Sequence, residues 1–111
     1  MAKATFLYVT APDSDGAEQI ARALIKARLA ACVNLIPGMK SIYRWRDAVE
    51  TAAEVVMIVK TTADAAPAAR DLISASHPYE TPCIIGFSVD EASSHREFLQ
   101  WIAGEVGDDR I

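Results

Sequence analysis

The sequence predicts an α+β domain built on an antiparallel four-stranded sheet, and three observations carry that expectation. Short, β-rich apolar runs alternate with stretches whose apolar residues recur at helical spacing. Proline, aspartate and serine signals stand at the boundaries between them. The chain has 111 residues, 51% hydrophobic and 23% charged, which fits one domain over residues 1–111 with a packed core.

Ala4 to Thr10 reads as the first strand and stops at Ala11-Pro12-Asp13. Asp15 stands where an N-cap belongs, with Glu18 three residues on in capping-box position. Ala17, Ile20, Leu24 and Ala27 then form the inner stripe of a first helix. Val33 to Met39 is an apolar run broken at Pro37-Gly38. Proline brings no N–H to a ladder, so this strand lies at an edge or bulges there. Ser41 to Trp45 resumes extended structure, Arg46-Asp47 is the reversal, and the chain returns from Val49 to Lys60 as a long hairpin.

Asp64 is placed to cap a second helix with Pro67 in its first turn and Ala69, Leu72, Ile73 and Ser76 inward. Pro78 ends it by pushing the preceding residue out of the helical region. Pro82 to Val89 is the fourth strand. Ser94-His95-Arg96-Glu97 has the capping-box pattern for a third helix, whose Phe98, Ile102 and Val106 lie four apart. Gly107 to Ile111 reads as a frayed tail.

The order βαββαβ plus a terminal helix is the split βαβ arrangement of ferredoxin-like folds. Right-handed crossovers put both main helices on one face of the sheet. Residues 55–59 are apolar at every position, so both faces of that strand need cover. The helices supply one face. For a chain this short, a second copy of itself is the expected cover for the other.

Composition narrows the partners. A net charge of −4 and a pI near 5.0 repel phosphate backbones, so no nucleic-acid partner is expected. No apolar run is long enough to span a bilayer, and Thr5 to Val9 is too short for a signal peptide, so the expected location is cytoplasmic, away from membranes. Cys32 and Cys83 form no Cys-x-x-Cys pair and are expected to stay reduced, with Cys32 in the core.

Six blocks together resemble the CutA divalent-cation tolerance family. They are Thr10-Ala11-Pro12-Asp13, Ala31 through Gly38, Ser41-Ile42-Tyr43-Arg44-Trp45, Val59-Lys60-Thr61-Thr62, His77 through Pro82, and Leu99-Gln100-Trp101-Ile102. The resemblance covers roughly residues 5–102. It implies a homotrimer whose sheets face inward and whose long hairpins reach neighbouring subunits, with a role in tolerance to divalent cations such as copper and no established enzymatic reaction. Copper-site proposals in that family use a cysteine before the Thr-Ala-Pro-Asp stretch and two histidines before Pro-Tyr. Here His77 matches the second histidine, while Val9 and Ser76 stand at the other two positions. Cys83 occupies a position commonly acidic in relatives, and Asp47 a turn position often held by glycine.

His77 is the candidate ligand for Cu²⁺ or another divalent cation, with Cys83 and Glu80 as companions from one turn. The bland alternative is a helix-terminal histidine favoured by the dipole. No organic cofactor is expected. Tyr43-Arg44-Trp45 has the composition of an interface anchor, here for a trimer. Lys60, Tyr79 and Glu80 form either a structural ion pair, Lys60 with Glu80, or the polar rim of an inter-subunit cleft.

Rival functions lack their chemistry. An acylphosphatase needs an arginine-bearing phosphate cradle after the first strand, and Ala11 to Gly16 holds Asp13 and Asp15 instead. An RNA-binding sheet needs aromatics on its third strand, and positions 55–59 have none. A small-ligand sensor resembling the PII trimers is the second reading, without a glycine-rich phosphate loop to support it. Catalysis is not expected.

Overall fold

The computed structural model describes residues 3–107. In chain order the elements are β1 (Ala4–Ala11), α1 (Ser14–Lys26), β2 (Cys32–Trp45), β3 (Ala48–Thr62), α2 (Ala66–Ser76), β4 (Ile84–Ser88) and α3 (Arg96–Glu105). The four strands make one antiparallel sheet in the order β2-β3-β1-β4, so the fold is the α+β arrangement expected, terminal helix included. Positions 108–111 of the expected tail lie outside the described residues, and Gly107 is tied down by hydrogen bonds to Arg28.

Strand alternation divides the sheet into two faces. Leu7, Val9 and Ala11 of β1 and Val55, Met57 and Val59 of β3 point to the same side and pack on α1 and α2. Val9, Met57, Val59, Leu24 and Ile73 are fully buried there. The stripe of α1 is Ala17, Ile20, Ala21 and Leu24; Ala27 is exposed because it is already the C-cap. In α2 only Ala69 and Ile73 are buried, and Ser76 faces solvent.

Each helix starts differently from the sequence reading. Asp13, not Asp15, caps α1, accepting from the Gly16 N–H at 2.7 Å. Asp15 falls instead in the first turn, where the dipole still favours a carboxylate. Ala65 is the N-cap of α2 without a side-chain bond, and Thr62 Oγ1 rather than Asp64 accepts from the Ala65 N–H at 3.3 Å. His95 stands at the N-cap of α3, and the capping box does not form, because Ser94 Oγ donates to the Asp90 carbonyl at 2.6 Å.

The third helix also lies on the other side. Its buried residues are Leu99 and Ile102, which pack with Ala4, Phe6, Ala31 and Val89, while Phe98 is exposed. Ala4 and Phe6 alternate with the residues facing α1 and α2, so α3 covers one end of the opposite face. The expectation that helices cover only one face is therefore corrected. Across the rest of that face, Ile36, Ile85 and Phe87 are 51%, 50% and 55% exposed.

The β2–β3 hairpin is as long as expected. The 15 residues of β3 span about 50 Å at roughly 3.3 Å per residue, and the molecule measures 51 Å along its long axis. The strand holding Pro37 is both at an edge and bulged: the register shifts between Ile36 and Met39, and Gly38 has φ +81°. At the tip Arg46 and Asp47 have φ 50° and 67°, the pair of left-handed residues that a two-residue type I′ turn requires. β4 begins at Ile84, two residues later than Pro82.

Candidate functional site around His77

His77 is the C-cap of α2, where Pro78 holds it in extended geometry (φ −81°, ψ 138°). Its ring is buried and lies 2.7 Å through Nε2 from the Thr10 carbonyl. Nδ1 accepts the Tyr79 N–H at 3.1 Å. An acceptor at Nδ1 and a carbonyl at Nε2 together select the neutral Nε2–H tautomer. Neither ring nitrogen then has a lone pair to offer a metal. Glu80 and Cys83 are exposed, and among the described residues no group of three or more His, Cys, Asp or Glu is placed to hold a metal ion. The side chains as placed do not fit a resident metal centred on His77.

His95, the other histidine, is exposed and 3.7 Å from Glu97. Cys32 is not in the main core. It is half-buried on the face opposite α1 and α2, directly across the ladder from Lys60, with Asn34 Nδ2 at 3.8 Å from its sulfur.

The Tyr79 ring lies 4.9 Å from His77, centroid to centroid, tilted by 51°. Partial burial pushes the Tyr79 hydroxyl above the ordinary tyrosine range, with Glu54, Tyr43 and Asp13 adding to the effect. Glu54 itself accepts from Ser41 Oγ at 2.6 Å. The β1–α1 loop and the end of α2 share a cleft here, lined by Pro12, Asp13, Ser76 and Pro78, and the hairpin's charge is felt at Tyr79.

The other candidates separate. Lys60 forms no ion pair with Glu80 among the described residues. Its Nζ instead lies 5.7 Å from the Phe6 ring centroid and 5.4 Å from that of Phe98, a cation between two aromatic faces. Phe6 is its cross-strand neighbour and was legible from alternation; Phe98 comes from α3, whose placement was not. Tyr43, Arg44 and Trp45 are all exposed near the hairpin tip, Trp45 58% so, with the Arg46 guanidinium 5.4 Å from its ring centroid. Tyr43 and Trp45 pair with Glu50 and Ala48, in phase with Val56, so alternation carries them onto the face that α1 and α2 leave open.

Known proteins share this sequence and shape. The model of the family described as CutA1 divalent ion tolerance protein matches residues 5–105. The divalent-cation tolerance protein CutA of Thermus thermophilus is 41% identical over 101 residues, 91% of this chain and 96% of the relative. Among solved structures, CutA from Xylella fastidiosa superposes with a TM-score of 0.90 at 38% identity, covering 96% of this chain and 100% of the other. The periplasmic divalent cation tolerance protein CutA from Archaeoglobus fulgidus gives 0.88 at 41% identity, covering 94% and 99%.

Proposed function

We propose, since this chain belongs to the CutA1 divalent ion tolerance family, that it is a non-enzymatic divalent-cation tolerance protein acting as a homotrimer in the cytoplasm. The open face of the sheet carries this reading. Ile36, Ile85 and Phe87 stand half exposed on it beside Tyr8 and Ile58, and a row of apolar side chains left in water favours association. β4 is a short edge strand with one unpaired side, on which a strand of a second copy can pair. Tyr43, Arg44 and Trp45 project at the end of that hairpin, in the place where an anchor reaches furthest. Lys60, Tyr79 and Glu80 then form the polar rim between copies.

The non-enzymatic part rests on His77. Both its nitrogens are held by backbone groups, so the residue best suited to general acid–base work is engaged in structure. Two free thiols, Cys32 and Cys83, support a reducing compartment. Tolerance on this reading belongs to the assembled protein and its dealings with divalent ions, copper among them, without a metal resident at His77.

Sedimentation at low micromolar concentration tests the assembly: the expected species has three times the 12.0 kDa chain mass, and a folded monomer there refutes it. Growth of host cells lacking the protein, across graded copper and zinc, tests the role. Restoration by the parent but not by an assembly-breaking Phe87→Glu variant is the expected result. Unaltered metal sensitivity in the deleted cells removes the tolerance assignment.

A further inference from the structure

We propose that His77 is a proton-operated latch, which fastens the loop of residues 78–83 to the open end of β1 and releases it when the imidazole is protonated. The proposal rests on hydrogen-bond geometry and is independent of the trimer and of any metal.

β1 presents alternate carbonyls along its β4 side. Ala4 O takes the Val89 N–H at 3.4 Å, and β4 then runs alongside as far as the Val9–Ile84 pair. Thr10 is in phase with Ala4, so its carbonyl points along the same edge, one step past the end of β4. No strand N–H reaches it there. His77 Nε2–H does, at 2.7 Å, and the ring passes the connection on through Nδ1 to the Tyr79 N–H. The imidazole thus stands in for a missing rung of the ladder.

Little else holds the loop. Among the described residues, no backbone–backbone hydrogen bond outside the sheet ladder involves residues 78–82, and the Tyr79 N–H bond to His77 is the loop's one hydrogen bond to a side chain. That bond exists only while Nδ1 is an acceptor. Protonation puts an N–H on Nδ1, facing the Tyr79 N–H across 3.1 Å, and two donors repel. The bond to Thr10 gains strength at the same moment, since its donor becomes charged. Release is therefore one-sided: the ring stays on β1, and Tyr79 and Glu80 leave together.

The charged groups nearest the loop are acidic. Asp13 of the β1–α1 loop and Glu54 and Tyr43 of the hairpin bear on the adjoining Tyr79, and Glu80 belongs to the loop itself. α2 ends at His77 with no basic residue in its last turn, so its carbonyl end also favours a cation. α1 faces the adjoining cleft with the uncharged Gly16, Gln19 and Ile20.

Long-range ¹H–¹⁵N NMR on the full chain, titrated from about pH 8 to about pH 5, reads both halves of the latch. The expected spectrum at the alkaline end has the proton on Nε2 of His77. As pH falls, Nδ1 gains its proton and the Tyr79 amide resonance moves with the same midpoint. In His77→Gln, which donates and accepts without titrating, the Tyr79 response is lost. The latch is overturned if His77 titrates while the Tyr79 amide stays still, if Tyr79 moves equally in His77→Gln, or if His77 remains neutral until the protein unfolds. Should His77→Gln fail to fold, the paired midpoints in the parent protein decide alone.

Discussion

Arg28 and Gly107 hold each other through both backbone and side chain. Arg28 Nε donates to the Gly107 carbonyl at 3.0 Å, and the Gly107 N–H returns to the Arg28 carbonyl at 2.9 Å. Nη2 reaches the Gly104 carbonyl at 3.3 Å, so one arginine just past α1 holds a last-turn carbonyl of α3 and the turn that follows it.

That clasp explains an arginine in a glycine's place. The Leu29 N–H bonds Leu24 O and the Arg28 N–H bonds Ile25 O, the two bonds of a Schellman motif, with Arg28 at φ 58°. A left-handed conformation costs a side-chain-bearing residue roughly 1–2 kcal/mol. Arg28→Ala keeps that strain and loses the clasp, whereas Arg28→Gly loses both. We expect the alanine variant to be the less stable by about 1 kcal/mol in thermal unfolding. Amides of Arg96–Glu105 should exchange faster in both variants. Equal stability of the two would show that the turn is unstrained.

The hairpin tip poses the same question without a clasp. Asp47 at φ 67° makes no side-chain hydrogen bond among the described residues, so nothing compensates its backbone. Asp47→Gly should stabilise the protein by roughly 0.5–1 kcal/mol, read as a higher denaturant midpoint at unchanged slope. A midpoint that stays or falls refutes it.

These two turns mark where the sequence was legible and where it was not. Arg46-Asp47 and Pro37-Gly38 declare themselves because proline and left-handed residues have local consequences, and the structure has a turn and a bulge there. The apolar run 55–59 likewise announced a central strand. Caps were harder, because Asp13 and Asp15 are both plausible by residue type and only the backbone chooses the extended one. Arg28 left no local signal, since its partner lies 79 residues away. The position of α3 on the second face was also hidden. Its spacing suggested Phe98 inward, but a ten-residue helix with Leu99, Ile102 and two aromatics can present either stripe, and packing on Ala4 and Phe6 decided it. The hydrogen bonds of His77 were not legible either, because a residue's name does not reveal which backbone groups reach its nitrogens.

Trp45 is the furthest-reaching large aromatic of the hairpin and is 58% exposed in the single chain. If it anchors the assembly, Trp45→Ala should cost roughly 2 kcal/mol or more of association free energy and leave the subunit fold intact. Sedimentation across a dilution series measures this. Dissociation at the parent's concentration would show that the indole decorates the surface.

Copper binding supplies a test of the imidazole's structural role. With Nε2 donating and Nδ1 accepting, His77 has no free lone pair for Cu²⁺. Calorimetric Cu²⁺ affinity should therefore change by less than about twofold in His77→Ala, against the tenfold or greater loss expected for removal of a ligand. A loss of that size in a variant that remains folded would restore His77 to the metal site.

The Tyr79 hydroxyl makes an alkaline prediction with a definite sign. Burial first, then Glu54, Tyr43 and Asp13, hold its ionisation above the ordinary value of 10.0, so the folded protein keeps this proton more tightly than the unfolded chain does. Linkage then requires its contribution to stability to be fully present below pH 10.0 and to fade as pH rises through the folded-state value. The ring is 42% exposed, so solvent moderates the size of the effect. An ultraviolet titration should show a phenol ionising above 10.0 that disappears in Tyr79→Phe. Glu54→Gln should move that ionisation down only part of the way, because burial is the larger cause and survives the substitution. A Tyr79→Phe protein that retains the late-ionising phenol would assign it to another tyrosine and remove the electrostatic link between the loop after α2 and the hairpin foot.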